Sequence, residues 1–182
     1  MSWLNSILIL AAAFLAVFWE AAFTGIRNVL GAQIDLLAPL IVYAALTSSL
    51  STICVLACFS GLLFDSLSAN PLGITVLPLF VVGFVVHLWR ELILRDQTFA
   101  QVILGLSAGA AVPILTLLIL LTTGRAPRFG WGTLWQIVVM SGGAAVITPV
   151  FFLLFEWLRK LLIHAPVMET SFRPDREIRR GR

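Results

Sequence analysis

Six apolar blocks, at residues 3–19, 36–46, 50–64, 74–89, 98–122 and 132–158, divide this chain, and its charged residues fall almost wholly in the breaks between them. A bilayer's hydrocarbon core is about 30 Å thick and takes about 20 apolar residues per helix. No water is available there to bind spare N–H and C=O groups, so only helices and closed barrels cross it. The blocks therefore predict an all-α integral membrane protein, a six-helix transmembrane bundle. Composition agrees, because 60% of the 182 residues are hydrophobic and 12% charged, against about 45–50% and 25% in soluble domains.

The first block is expected to stay in the mature chain. No Lys or Arg precedes the apolar run from Ile7 to Phe18, no small-residue cleavage site follows closely, and Trp19 and Glu20 read as the end of a retained helix. All six tryptophans (Trp3, Trp19, Trp89, Trp131, Trp135 and Trp157) sit toward block ends, where an indole ring reaches the headgroup layer. Between Asp35 and Asp65 lie 29 uncharged residues, many for one span and few for two. The polar cluster Thr47, Ser48, Ser49, Ser51 and Thr52 reads as a tight turn between two short helices, with one long tilted helix as the alternative.

Charge orients the bundle. With six spans, nine basic residues (Arg90, Arg95 and seven beyond Trp157) share one face and three (Arg27, Arg125 and Arg128) the other, so the C-terminus is expected to be cytoplasmic. Five spans give the same answer, ten against two; the N-terminus is cytoplasmic only with six. The bundle is expected over residues 1–163 and a basic cytoplasmic tail over 164–182, too poor in apolar residues to fold alone. That tail either touches anionic lipid or simply anchors the topology.

Small residues mark expected helix contacts: Gly105 and Gly109 as a G-x-x-x-G, Ala12 and Ala16 more weakly, and the small run from Ser141 to Ala145. Pro39, Pro113 and Pro149 fall within apolar blocks and are expected to kink their helices. Catalytic chemistry is not expected. His87 and His164 have no partner acids at a motif spacing, and Cys54 and Cys58, one turn apart, have no further metal ligands nearby and read as buried free thiols. With no phosphate loop, zinc-protease motif or Ser–His arrangement, no cofactor, metal or nucleic acid is expected.

The stretch from Gly61 to Gly73 carries the most information. It sets Asp65, small polar residues and a Pro71-x-Gly73 turn between two apolar blocks. A carboxylate in hydrocarbon costs about 2.5–3.5 kcal/mol even on a lenient scale, so Asp65 needs a reason to be there. Gly61 lies one turn before it and leaves room beside the carboxylate. Pro71 and Gly73 suit the turn that follows, whose N–H groups Asp65 can bind. A partner-binding role for Asp65 and this capping role both stand.

The series Val42 to Leu46, Gly61, Asp65, Pro71, Gly73 and Gly83, followed by Trp89, Arg90 and Glu91, resembles the bacterial rod shape-determining membrane protein MreD family over about residues 35–95. The first span and the last two match in length and hydropathy only. The resemblance implies a six-helix inner-membrane protein, similar in fold to the substrate-binding subunits of energy-coupling-factor vitamin transporters. It implies a non-catalytic scaffold of the elongation machinery for lateral-wall peptidoglycan synthesis. The implied partners are an MreC-like bitopic membrane protein and, beyond it, RodA, a class B penicillin-binding protein and an MreB-like filament.

Within that reading Gly61, Asp65, Pro71 and Gly73 form the partner-binding or structural corner. Arg90, Glu91 and Arg95 make a charged cytoplasmic loop that touches a partner or anchors its helix. Glu20 and Glu156 lie near span ends, and neither is expected to relay protons without a second acid facing it. The rival reading is a substrate-binding membrane subunit of a vitamin-type transporter. Against it, the outer loops offer few polar groups: Asp65, Ser66, Ser68, Asn70, Arg27 and Arg125.

Overall fold

The computed structural model describes residues 2–22, 31–68, 71–90, 98–123 and 130–163. The predicted tail, Arg27, Arg125, Arg128, and the Glu91 and Arg95 of the charged loop lie outside them. Six α-helices follow in order, with no strand among the described residues: α1 Ser2–Ala22, α2 Leu37–Thr47, α3 Leu50–Leu67, α4 Val76–Leu88, α5 Thr98–Thr122 and α6 Trp131–Ile163. Four of them, α1, α3, α5 and α6, are long and apolar enough to cross a membrane. The chain is a multi-pass membrane protein.

The uncharged stretch between the two aspartates is two helices. Ser48 leaves the helical conformation (φ −121°, ψ 176°) while its N–H still closes on the Ala44 carbonyl. Ser49 is extended in turn, and its carbonyl accepts from Thr52 and Ile53 at 3.0 and 3.2 Å. Serine suits such breaks because its hydroxyl competes for nearby backbone groups.

With 11 residues, α2 is about 16 Å long, half of what a bilayer needs. Its surroundings explain why that suffices. All ten residues from Leu37 to Leu46 are buried, so protein, not lipid, surrounds α2 and no mismatch arises. Alanines 38, 44 and 45 are fully buried and bring neighbouring backbones close, which is how apolar helices gain packing where lipid is as greasy as they are. Gly83 of α4 serves the same contact: a Cβ there would stand 2.9 Å from Ile41 of α2 and 2.8 Å from Ile53 of α3. The Tyr43 ring stacks on Phe155 of α6 at 4.3 Å and meets Phe152 edge-on at 5.0 Å.

Consecutive helices alternate in direction. At one end Asn5 donates to Ser48 (3.2 Å), the Ser6 and Thr52 hydroxyls pair (3.1 Å), and His87 Nδ1 meets the Ala45 carbonyl (3.0 Å). This joins the start of α1, the α2–α3 turn and the end of α4. The opposite end gathers the ends of α1, α3 and α5 with the starts of α2, α4 and α6.

Gly105 and Gly109 pack α5 on α6. A Cβ on Gly105 would overlap Thr148 Oγ1 and come within 2.6 Å of the Ala144 carbonyl, and one on Gly109 would stand 2.5 Å from the Ala144 Cβ. In α1 the buried small residues are Ala13 and Ala16, with Ile9 and Val17, and the half-buried Ala12 packs against the same core. Pro39 does not kink its helix. It occupies the first turn of α2, where no intrahelical donor is lost, whereas Pro113 and Pro149 lie inside α5 and α6. Cys58 is exposed on the bundle surface and Cys54 half-buried, so the thiols are not core residues as expected. Trp19, Trp89, Trp131, Trp135 and Trp157 are all about half-exposed or more.

Candidate functional site

Asp65 stands in the last turn of α3 and is almost completely buried. Oδ2 accepts the backbone N–H groups of Gly73 (2.9 Å) and Thr75 (3.0 Å), and Oδ1 accepts the Thr75 hydroxyl. Three donors, two of them the N–H groups leading into α4, supply what a carboxylate loses on leaving water. Gly73 has φ +91°, a conformation that glycine adopts without a Cβ penalty. Gly61, one turn before Asp65, makes room for backbone: a Cβ there would lie 2.8 Å from Val76 Cα and 2.9 Å from its nitrogen. Val76 opens α4, so Gly61 sets how closely α3 and α4 approach.

The structure thus brings Gly61, Asp65 and Gly73 together at one corner, with Pro71 at the head of the turn, its carbonyl accepting from Ile74 at 3.4 Å. Gly105 and Gly109 belong to a different contact, between α5 and α6. Arg90 follows α4, its N–H donating to the His87 carbonyl at 3.4 Å. Glu156 pairs with Lys160 one turn on, at 3.0 Å, and both side chains are well exposed.

A second acidic feature escaped the sequence reading. Asp35 is buried just ahead of α2, and its Oδ1 accepts the N–H groups of Leu37 (2.7 Å) and Ala38 (3.3 Å). Glu20, from the end of α1, reaches the same helix start: its Oε1 accepts the N–H of Leu36. Two carboxylates thus meet the positive end of a helix dipole and three N–H groups that have no helical acceptor. The second acid that a proton-relay role for Glu20 would require is therefore at hand, since Asp35 is its electrostatic neighbour. Among the described residues, none donates a hydrogen bond to Glu20 Oε2, which is buried.

Both carboxylates line a cavity of about 420 Å³. Its polar wall includes Gln33, Thr75, Thr116, Thr133 and Gln136; Phe64, Val112, Leu117, Ile137 and Met140 supply apolar wall. Pro113 also borders the cavity. The cavity sits at the bundle end that holds the Asp65 corner, and Thr75 belongs to both. Of the loop polar groups expected from sequence, Ser68 lines the cavity, and Glu20, Thr116, Thr133 and Gln136 reach it from within helices.

Compared with protein-family models, curated proteins and solved structures, the chain finds no match.

Proposed function

We propose that this chain is a non-catalytic scaffold of the bacterial inner membrane, of the MreD type, with both termini in the cytoplasm. It holds an MreC-like bitopic partner and supports lateral-wall peptidoglycan synthesis by RodA and a class B penicillin-binding protein above an MreB-like filament. The observation that carries this reading is the use made of the Gly61, Asp65, Pro71, Gly73 series, the residues on which the family resemblance rests. Its one carboxylate is occupied by the turn it caps, as suits a corner that holds shape and presents the α3–α4 connection, and as does not suit an acid that must exchange protons with a substrate.

The test is a pull-down of the tagged protein from its native membrane, with mass spectrometry of proteins and small molecules. Recovery of an MreC-like protein with the elongation synthase is the expected result, and its absence overturns the scaffold. A second reading, a substrate-binding subunit of a vitamin-type transporter, is favoured by the cavity beside Glu20 and Asp35. It predicts recovery of a small ligand with paired ATPase subunits in the same experiment.

A further inference from the structure

We propose that the cavity at the start of α2 binds an organic cation, a primary ammonium carried on an apolar body, with Glu20 and Asp35 as its acceptors. The inference stands on the cavity and not on the scaffold reading; it would give the second reading its ligand class.

Glu20 spends Oε1 on the Leu36 amide, and its Oε2 is buried and receives no hydrogen bond from any of the described residues. Asp35 spends Oδ1 on two amides and retains Oδ2. A buried acceptor without a donor is destabilising, more so when charged, and two neighbouring carboxylates add mutual repulsion. An ammonium group answers both, because it brings three N–H donors and one positive charge. The same carboxylates exclude an anion.

Size and lining exclude a bare metal ion. About 420 Å³ lies in the range of small-molecule pockets and far exceeds the volume of one ion. Calcium would take six to eight oxygens, whereas much of this wall is the carbon of Phe64, Val112, Leu117, Ile137 and Met140. An apolar body against those side chains and an ammonium at the acidic end fit both halves. Such a group comes either from a free amine or from the headgroup of phosphatidylethanolamine.

The experiment uses the full chain in phosphatidylglycerol nanodiscs, with thermal unfolding followed by tryptophan fluorescence. The probes are 2-phenylethylammonium, the neutral 2-phenylethanol and the anionic 3-phenylpropanoate. A second arm replaces half of the lipid by phosphatidylethanolamine, with no amine added. Glu20→Gln and Asp35→Asn each keep an oxygen for their backbone donors, so both variants should fold with an unliganded midpoint at or above that of the native chain.

The expected result is a concentration-dependent rise in midpoint with the ammonium and not with the alcohol or the carboxylate. Each variant should weaken the response about tenfold or more. A midpoint raised by phosphatidylethanolamine in the native chain but not in Glu20→Gln also supports the site and names the lipid as its source. No response in either arm overturns the proposal, as does an alcohol as effective as the amine or a Glu20→Gln response equal to the native one. Partner recovery in the pull-down is unaffected by any of these outcomes, so failure of the cation site and failure of the scaffold are told apart.

Discussion

Asp65 and Thr75 are joined twice: the Thr75 N–H donates to Oδ2 at 3.0 Å, and its hydroxyl donates to Oδ1. Both residues are buried, ten positions apart, and the pair locks the end of α3 to the start of α4. The loop between them is held from inside by a charge.

Removing that charge should cost stability first. Asp65→Ala leaves the Gly73 and Thr75 N–H groups and the Thr75 hydroxyl without their acceptor, at about 1–3 kcal/mol for each group that stays buried. The unfolding midpoint in detergent should fall sharply, and Asp65→Asn, which keeps one acceptor oxygen, should fall less. If the carboxylate also serves a partner, Asp65→Asn will lose rod-shape complementation at normal protein abundance. A parallel fall in both readouts would confine it to the corner.

At Gly61 the obstacle is backbone. Because a Cβ would stand 2.8 Å from Val76 Cα, even Gly61→Ala must push α3 and α4 apart. Gly142 of α6 gives the control, since nothing lies within 4 Å of a Cβ there. Gly142→Ala should be neutral or stabilising by up to about 1 kcal/mol from helix propensity, while Gly61→Ala lowers the midpoint and Gly61→Leu lowers it further. Equal midpoints for the two alanine variants would show that the α3–α4 crossing is looser than its geometry.

Local spacing made this corner readable before any fold was known. Gly61 and Asp65 are one helical turn apart, and Pro71 and Gly73 carry turn chemistry in their own backbones. The pairing of Glu20 with Asp35 has no such signature: 15 positions separate them, and only the fold sets the end of α1 against the start of α2. The one local hint was Asp35 itself, an N-cap residue type ahead of an apolar run. The central position of α2 was equally hidden. A helix apolar on every side is read the same way whether lipid or protein surrounds it, and only the burial of Leu37 to Leu46 decides for protein.

The α5–α6 contact should be the least forgiving of added volume. Gly105 faces Thr148 and the Ala144 carbonyl, and Gly109 faces Ala144, the Met140 carbonyl at 2.9 Å and Ser141 Cα at 3.0 Å. Gly105→Ala and Gly109→Ala should each lower the midpoint. Thr148→Ala in the Gly105→Ala background should recover part of the loss, because one of the clashing atoms is the Thr148 hydroxyl. No recovery would assign the strain to the Ala144 carbonyl and the Thr148 Cβ, at 2.6 and 2.9 Å, both of which the double variant keeps.

The alternation of six helices makes a prediction about sidedness that charge alone did not settle. Leu72 lies in the α3–α4 turn and is 70% exposed, at the end that holds the Asp65 corner and the cavity. Ser49 lies in the α2–α3 turn at the opposite end and is exposed as well. In a background with Cys54 and Cys58 replaced by alanine, Leu72→Cys should react in intact cells with a maleimide that cannot cross the membrane. Ser49→Cys should react with it only after the inner membrane is permeabilised. If residues 36–64 formed a single span, Ser49 would sit near mid-bilayer and stay unlabelled in both conditions. Labelling of Ser49→Cys from outside, with Leu72→Cys protected, would invert the bundle and turn the Glu20–Asp35 cavity toward the cytoplasm.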